Sequence, residues 1–457
     1  MQANRLTIAL LLMECAEMLL AFSVAWGFRH FYWGDAGSGW VLGLQAPLMA
    51  IIVQFCLFSN DLYTAREIPS NAVLFRRFLV GLAIAAVVLL VIFFLVPALA
   101  VGRVIFLGSL GLFSVFFLIG RLTIVRAMGR RWLHKRYLIM GSGQFARELG
   151  SLILDRRPLG YELAGFLDKM PERVGEPFLN PGIVGTYDDV ERIVAEERID
   201  EVIVAVSNRR GSMPMEQLLE LKFQGVAITD GVTFYEREHD RVYVRQLNPS
   251  WLIFNEHFNI SPLTLSAKRV LDVSLVGLGL ILALPLLVAA AIGVKLTSRG
   301  PIIYSQERAG LKGRPFKIYK FRSMTVDAEK GTPQFAEKND PRVTAIGGFM
   351  RKTRIDELPQ MLNILKGDMS LVGPRPERPF FIEQLREKIP FYHHRLQVKP
   401  GLTGLAQISY GYSGSDDEDH LQKLQYDLSY IKNLSVALDM SIIAKTVKVV
   451  IIGKGAR

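Results

Sequence analysis

Long apolar segments near the start of the chain constrain its fold more strongly than any other feature of the sequence. Four of them follow one another, at residues 6–28, 40–58, 78–98 and 104–125. About 20 consecutive apolar residues are enough for a helix to cross the hydrocarbon core of a bilayer. The sequence therefore predicts a membrane protein in which residues 1–128 form an N-terminal four-helix transmembrane bundle.

Basic residues in the loops predict the orientation of this bundle. One group lies between the second and third segments and a larger group follows the fourth, whereas the other two loops carry little positive charge. The members of the two groups are Arg66, Arg76, Arg77, Arg126, Arg130, Arg131, Lys135 and Arg136. Because cytoplasmic loops are enriched in Lys and Arg, both ends of the bundle are expected in the cytoplasm.

Two acids and two cysteines lie inside the apolar segments. Glu14 and Glu17 are three positions apart on the first predicted helix. Acids within a membrane are often functional, but the preferred interpretation is that these two face the bundle and share a polar contact. Cys15 and Cys56 are the two cysteines of the chain, so neither a disulfide nor a thiolate metal site is expected.

Residues 134–250 show the alternation of a parallel α/β sheet. Short apolar runs typical of strands, such as "YLIM" and "EVIVAV", alternate with polar stretches typical of helices. After the first strand, Gly141, Gly143 and Ala146 form a GxGxxA turn, and Asp168 follows about 25 residues later. The pattern predicts a Rossmann-like domain. Such a turn can hold a nucleotide pyrophosphate, but a structural or regulatory domain is the preferred interpretation, because one turn motif is weak evidence.

A fifth apolar run, residues 273–294, is also long enough to span a bilayer. Basic residues flank both of its ends, which favours the cytoplasm for both. These residues are Lys268, Arg269, Lys295 and Arg299. Pro285, in the middle of the run, removes a helical hydrogen bond and favours a kink. A re-entrant helix over residues 268–296 and an ordinary spanning helix both remain open.

Two adjacent carboxylates, Asp356 and Glu357, precede a short helical pattern. Its apolar positions are Ile355, Leu358, Met361, Leu362 and Leu365, which share one helical face. Pro359 fits only near a helix start, so the acids are expected at or just before the first turn, where orphan N–H groups stabilise anions. The pair is therefore either a simple helix cap or two carboxylates with different tasks, because adjacent side chains point about 100° apart.

Basic residues surround this acid pair in the sequence. Lys320 and Arg322 lie in the aromatic-rich stretch "FKIYKFRSM", Arg351 and Arg354 precede the acids, and Arg375 lies in the Gly/Pro turn "GPRPE". Interleaved basic and aromatic residues can bind nucleic acid. A chain with five apolar segments is not expected to do so, and its net charge of +11 fits a phosphate-bearing small substrate better.

Five collinear motifs cover residues 266–457. They are "KRVLDV", "QERAGLKGRPFKIYKFRSM", "RKTRIDELPQMLNILKGDMSLVGPRPE", "KPGLTGLAQ" and "YDLSYIKNLSVALDM". Together they resemble the bacterial sugar transferases, which are monotopic phosphoglycosyl transferases acting on polyprenyl phosphate. The resemblance implies an α/β catalytic domain attached to the membrane by a re-entrant helix. The leading helices and the Rossmann-like domain resemble the large members of that family.

The resemblance also implies a reaction. Asp356 would attack a UDP-sugar, release UMP and form a phosphosugar–aspartate intermediate, which undecaprenyl phosphate would then attack. Glu357 would hold Mg²⁺, the implied cofactor. The expected location is a bacterial inner (cytoplasmic) membrane, where the reaction would initiate exopolysaccharide or O-antigen synthesis. A homodimer is expected at the level of the family alone.

The resemblance carries roles to further residues. Those implied to bind substrates are Lys320, Arg322, Arg351, Arg354, Pro374, Arg375, Pro376 and Glu377. Those implied at the membrane entry are Lys268, Arg269, Asp272 and Pro285. Smaller family members often have Ser before the proline, whereas Leu284 stands here, so a serine cannot relieve the backbone groups freed at a bend.

Three other functions fit the sequence less well. A membrane-tethered NDP-sugar-modifying enzyme would need a Tyr-x-x-x-Lys pair, and no such spacing occurs in the chain. A non-catalytic regulator of polysaccharide assembly would be indicated by loss of the acid pair, which is present. A metal-dependent glycosyl transferase could use the acids of "SDDED", residues 415–419, although these are more typical of a solvated loop.

Overall fold

The computed structural model of the protein contains two compact units, Met1–Glu238 and His239–Arg457. The residues it describes are 2–34, 39–60, 62–63, 71–127, 134–206, 213–246, 260–325, 342–410 and 416–452. The first unit holds the apolar N-terminal helices and the α/β sheet, and the second holds the region of the five motifs.

Four apolar helices open the first unit, as the sequence predicts. They are α1 (Gln2–Trp33), α2 (Gly39–Ser59), α3 (Asn71–Leu95) and α4 (Arg103–Ala127). Helices α1, α3 and α4 are long and apolar enough to cross a bilayer, whereas the apolar part of α2, Gly43–Ser59, is shorter. Side chains such as Met49 and Phe113 form a core, and many other apolar side chains point outward. Helices that are apolar all round fit a lipid environment, so this is a membrane protein.

Glu14 lies fully buried within the helical bundle and is held by polar neighbours. Arg121 Nη2 lies 2.8 Å from Glu14 Oε1, and the Tyr63 hydroxyl donates to Glu14 Oε2. Gln54 donates to the Tyr63 hydroxyl at 3.0 Å. The prediction that an acid of the first segment faces the bundle is confirmed for Glu14, while Glu17 is only half-buried. Pairing of this kind offsets the cost of a charge in an apolar environment.

A five-stranded parallel sheet follows, which confirms the predicted α/β alternation. Its strands are β1 (Lys135–Met140), β2 (Tyr161–Asp168), β3 (Ile183–Thr186), β4 (Glu201–Val204) and β5 (Ala227–Asp230), in the order β3-β2-β1-β4-β5. Its helices are α5 (Gln144–Asp155), α6 (Val190–Glu197), α7 (Met215–Phe223) and α8 (Gly231–His239). The inner strands are almost entirely buried, as expected for a parallel sheet covered by helices.

The second unit contains a long apolar helix and a set of shorter elements. The helices are α9 (Pro262–Thr297), α10 (Ala345–Thr353), α11 (Gln360–Lys366), α12 (Pro379–Lys388), α13 (Leu405–Ser409), α14 (Asp417–Lys432) and α15 (Val436–Ile452). The strands are β6 (Ile303–Ala309) and β7 (Pro315–Phe321), which form an antiparallel hairpin, and β8 (Ser370–Val372) and β9 (Gly401–Thr403), which pair in parallel. Together β6–β9 and α10–α15 form the α/β body of this unit.

Helix α9 includes the fifth apolar run and is helical without interruption through Pro285. Both of its ends contact the α/β body. Near its start, Lys268 Nζ donates to the carbonyl of Val372 at 2.9 Å. Just after its end, the Ser298 carbonyl accepts from Arg322 Nη2 at 2.8 Å. Between these ends α9 carries exposed Leu and Ile side chains. Both ends of the apolar helix are therefore held by the α/β body.

Candidate active site

The acid pair lies in a 3₁₀ turn, Ile355–Glu357, between α10 and α11. Arg354 ends α10 in the left-handed conformation, with φ of 61°, and so turns the chain sharply into the acids. Both Asp356 and Glu357 are buried. This confirms the predicted position just before a helix, but burial on this scale exceeds what a solvent-exposed cap would need.

The predicted apolar face of α11 is buried only in part. Met361 and Leu365 are half-buried against a core that includes Ile364, whereas Leu362 is 47% exposed. Asn363 is also buried, because its amide donates to the Lys317 carbonyl of β7 at 2.8 Å and its Oδ1 accepts from the amide of Tyr319 at 3.1 Å. Satisfying these two backbone groups allows a polar side chain of α11 to lie inside the protein.

Three cations converge on Glu357. Lys320 Nζ and Arg375 Nη2 lie 3.0 and 2.8 Å from Glu357 Oε1, and Arg354 Nη1 lies 4.0 Å from Oε2. Burial disfavours the ionised carboxyl, but Arg375, Lys320 and Arg354 outweigh it and hold the pKa of Glu357 well below its usual range. The positive charge at this turn therefore favours the ionised form of Glu357.

Asp356 has a different environment from its neighbour. Its Oδ1 is buried without a hydrogen-bond partner in the described part of the chain. Burial, with a further contribution from the charge of Glu357, raises the pKa of Asp356 to about 6, although Lys320, Arg351 and Arg354 favour its ionised form. An ionised carboxylate oxygen that is poorly solvated and unpartnered is suited to nucleophilic attack. The two acids thus have separate chemical capacities.

Arg351 and Arg322 lie nearby but contact other groups. Arg351 Nε donates to the Ser323 hydroxyl at 2.8 Å. Arg322 donates to the carbonyls of Arg299 and Ser298 at 2.9 and 2.8 Å, and so holds the end of α9. Of the predicted substrate-binding cations, the structure therefore brings Lys320, Arg354 and Arg375 onto Glu357, while the guanidinium of Arg322 is used in anchoring the apolar helix.

The segment Gly373–Glu377, here called the Arg375 loop, contributes four of its residues to the lining of a small cleft. The residues around this cleft are Ala309, Pro374, Arg375, Pro376, Glu377, Ile382, Arg395, Leu396, Val398 and Pro400. Pro374 and Pro376 stiffen the loop by fixing two φ angles. Glu377 Oε2 lies 3.9 Å from Arg308 Nη1, so its carboxylate is paired within the protein.

Arg395, for which the sequence predicts no role, lies behind this loop. Arg395 Nη2 donates to the carbonyl of Arg375 at 3.2 Å. An arginine in "HHRLQVKPG" has no local pattern that distinguishes it from a surface residue, because the groups that it contacts are distant in sequence.

The predicted membrane-entry residues hold α9 to the body of the unit. Lys268 pairs with Asp439 at 2.5 Å, in addition to its bond to β8. Arg269 donates to the carbonyls of Ile364 and Leu365 at 2.5 and 2.7 Å and so caps the last turn of α11. Asp272 Oδ1 accepts from the amide of Leu371 at 3.0 Å. Because Arg269 is hydrogen-bonded to the helix that follows the acids, the apolar helix is connected to the acid turn through α11.

The predicted GxGxxA turn has the backbone conformation expected of a glycine turn between a strand and a helix. Gly141 has φ of +122°, Gly143 precedes α5, and Ala146 is fully buried. Asp168, however, accepts from the Ser142 hydroxyl of the same turn and pairs with Arg173 at 2.7 Å. A structural or regulatory domain stays the preferred prediction, since the structure gives Asp168 partners within its own domain.

The acids of residues 415–419 do not form a loop as far as the structure describes them. Residues 416–419 cap and begin α14, where acids suit the helix dipole. Glu418 lies 2.6 Å from Arg245, and Asp419 accepts from the Tyr410 hydroxyl at 2.5 Å. The loop interpretation is therefore wrong for these residues, and their contacts are those of a helix start.

The acid pair fits a magnesium ion in its donor chemistry. Within the described ranges no group of three or more His, Cys, Asp or Glu side chains is arranged to hold a metal. Mg²⁺ needs only one or two carboxylates when waters and substrate phosphates complete its shell. Asp356 Oδ1 is unpartnered there, whereas Glu357 Oε1 already receives Lys320 and Arg375. Magnesium at Glu357 remains a prediction and would compete with these two cations.

The sequence of this chain matches known protein families. Residues 263–453 match the family described as bacterial sugar transferase, and residues 59–228 match the family described as CoA-binding domain. An undecaprenyl-phosphate glucose phosphotransferase of Komagataeibacter xylinus is 31% identical over 393 residues, which cover 79% of this chain and 72% of the relative. The chain belongs to the bacterial sugar transferase family. The match contains the acid turn, its cations and α9.

Two further members of the family align with the second unit. A UDP-N-acetylgalactosamine-undecaprenyl-phosphate N-acetylgalactosaminephosphotransferase of Aeromonas hydrophila is 46% identical over 197 residues, or 43% of this chain and 46% of the relative. A UDP-glucose:undecaprenyl-phosphate glucose-1-phosphate transferase of Klebsiella pneumoniae is 48% identical over 191 residues, or 41% of each protein. The chain thus spans less than half the length of these two sugar transferases.

Proposed function

We propose that this protein transfers a hexose 1-phosphate from a UDP-sugar to undecaprenyl phosphate, and so forms a polyprenyl-diphospho-sugar and UMP. The observation that carries the proposal is the buried acid pair, in which Asp356 Oδ1 is unpartnered while Glu357 is ionised among Lys320, Arg354 and Arg375. The names of the relatives, which are sugar-phosphate transferases acting on undecaprenyl phosphate, support the same reaction class. A sugar joined to a lipid carrier in this way would begin a lipid-linked glycan.

In the first step, a carboxylate oxygen of Asp356 attacks the β-phosphorus of the UDP-sugar. The bond between that phosphorus and the bridging oxygen breaks, and UMP leaves with the electron pair. In the second step, a phosphate oxygen of the polyprenyl phosphate attacks the phosphosugar–aspartate, and the Asp356 carboxylate is regenerated. Two displacements of this kind replace one difficult transfer between two anionic substrates.

The cations at the turn supply the charge that these steps need. Phosphoryl transfer depends on positioning and on neutralising oxygens as charge shifts to the leaving group. Arg375 offers a planar fork for phosphate oxygens, while Lys320 acts as a point charge beside it. Glu357 holds both cations in place between turnovers. Mg²⁺, when bound by Glu357 and Asp356, would add neutralisation of the diphosphate.

The membrane attachment that fits this reaction is a re-entrant α9. Both ends of α9 contact the same α/β body, which supports entry and return on one side of the bilayer. Phe349 on α10 and Leu362 on α11 are 61% and 47% exposed, and these two helices flank the acid turn. Apolar side chains there would contact lipid and keep Asp356 level with the acceptor phosphate. The proposed location is the inner membrane, with the acid turn on the cytoplasmic side.

Cysteine labelling tests this topology. In a chain with Cys15 and Cys56 replaced by Ala, Ser305→Cys places an exposed thiol after α9, and Ala100→Cys places one between α3 and α4. We expect a membrane-impermeant reagent outside the inner membrane to label Ala100→Cys readily, and Ser305→Cys only after permeabilisation. Equal labelling of both thiols in intact membranes would instead indicate that α9 spans the bilayer.

The reaction itself is tested by release of UMP. The purified full-length protein, in lipid nanodiscs with undecaprenyl phosphate and Mg²⁺, should release UMP from one member of a panel of UDP-sugars. The lipid product should carry the sugar and two phosphates by mass spectrometry. The panel also identifies the sugar. Failure of every UDP-sugar to yield both products would reject the proposed function.

A further inference from the structure

The backbone of the Arg375 loop is held by hydrogen bonds from neighbouring segments. The carbonyls of four successive residues each accept a hydrogen bond from outside the loop. The donors are the amide of Gly401 to Pro374 at 2.9 Å, Arg395 to Arg375 at 3.2 Å, Arg308 to Pro376 at 3.1 Å, and the amide of Ala309 to Glu377 at 2.9 Å. A short segment without regular structure is normally mobile. These four hydrogen bonds therefore hold the backbone of the loop in one position.

The donor on Arg375 itself is a buried arginine. Arg395 is 4% exposed, and its Nη2 lies 2.7 Å from Asp427 Oδ2 on α14, which is also buried. Its Nη1 donates to the Tyr392 hydroxyl at 2.7 Å. Burying an ion pair costs desolvation that apolar side chains of the same size avoid. The pair is therefore better explained by the geometry that it imposes than by the stability that it adds.

We propose that Arg395, aimed by Asp427 and Tyr392, is a positioning residue that sets the backbone of Arg375 and so directs the Arg375 side chain at Glu357 and at the substrate diphosphate. Arg395 acts through the Arg375 carbonyl and needs no contact with substrate. This inference rests on the proposed function for its catalytic consequence, but its structural consequence can be measured independently. The chain of contacts runs from α14 through Arg395 to Arg375 and ends at Glu357 Oε1.

Arg395→Lys separates positioning from charge pairing. A lysine can still pair with Asp427, but its single nitrogen lacks the fork that reaches Tyr392, Asp427 and the Arg375 carbonyl at once. We expect KM for the UDP-sugar to rise about 10-fold, because the loop that binds the UDP-sugar loses a hydrogen bond from a charged donor. KM for undecaprenyl phosphate should stay unchanged. Arg156→Lys, which alters a similar ion pair with Glu238 in the first unit, is the matched control and should change neither constant.

Amide hydrogen exchange measures the loop without reference to catalysis. The amide of Gly373 in the loop donates to the Thr403 carbonyl, and the amide of Gly401 donates to the Pro374 carbonyl of the loop. In Arg395→Lys both amides should exchange faster than in the wild type, while exchange in the core of the α/β sheet should not change. If the wild type releases no UMP, the proposed function fails and the exchange data still decide the role of Arg395. Unchanged exchange with unchanged KM would overturn the positioning role.

A double-mutant cycle with Arg375→Ala gives the final discrimination. If Arg395 acts through Arg375, Arg395→Lys should cost no further activity once Arg375 is removed. Additive losses would overturn the proposal and indicate general damage. Should Arg395→Lys fold poorly, the paired change Arg395→Met with Asp427→Leu removes both buried charges together, and the same exchange and cycle measurements apply to it.

Discussion

Asp356→Asn is expected to reduce UMP release to background, a fall on the order of 10³-fold or more, because a carboxamide cannot form the phosphosugar–enzyme bond. The measurement is UMP release in nanodiscs, together with mass spectrometry of the wild-type protein after exposure to UDP-sugar alone, which should reveal the covalent phosphosugar. Asp368→Asn, the same change at an exposed acid after α11, should retain activity. Full activity of Asp356→Asn would show that another group attacks phosphorus.

A stability measurement on the same variant separates loss of chemistry from unfolding. Burial, and then the charge of Glu357, raise the pKa of Asp356 from 3.8 to about 6. An acid whose pKa is raised in the folded state stabilises the fold at low pH and loses that contribution as pH rises through the folded value. At pH 7.5 without metal, Asp356→Asn should therefore be more stable than the wild type by up to about 3 kcal/mol, and the gain should vanish below about pH 4.

Glu357→Gln is expected to act in the opposite direction on stability. Removing this anion leaves Lys320, Arg354 and Arg375 without their counter-charge in a buried site, which should cost about 3 kcal/mol. UMP release should fall on the order of 100-fold, because the cations are no longer held at the substrate phosphates. Thermal unfolding in detergent and UMP release measure the two effects.

Glu383→Gln on α12 is the control for Glu357→Gln, since it makes the same change at an exposed acid. It should leave both unfolding temperature and UMP release unaltered. A Glu357→Gln variant as stable and as active as this control would contradict the role of Glu357 as the anchor of the cation cluster. Opposite stability changes at two adjacent carboxylates would be difficult to obtain from a simple helix cap.

Local patterns accounted for much of the architecture. The apolar segments 6–28 and 104–125 lie within α1 and α4, because length and hydrophobicity alone decide which helices suit lipid. The helices extend beyond these segments, since backbone hydrogen bonding continues past the last apolar residue. The parallel sheet of the first unit also followed from alternation. The acid pair was placed correctly because Pro359 and the helical period fix a helix start from neighbouring residues.

The orientation of α11 shows where a local pattern fails. Its leucines share one face, which in a soluble protein would turn inward. Leu365 is half-buried against the core, but Leu362 is exposed, and Asn363 is buried because it meets backbone groups of β7 that lie 44 and 46 residues away. Periodicity identifies a face but does not reveal whether the surrounding medium is protein core or lipid.

By itself, the sequence determined that the chain is a membrane protein with apolar helices, a parallel α/β sheet and an acid pair at a helix start. These properties depend on residues a few positions apart. Tertiary structure alone decided what surrounds the acids. It joins Glu357 to Lys320 and Arg375, which are 37 and 18 residues away, leaves Asp356 Oδ1 without a partner, and sets Arg395 behind the loop. Charge, burial and pKa at the site arise from such distant contacts, which no local period encodes.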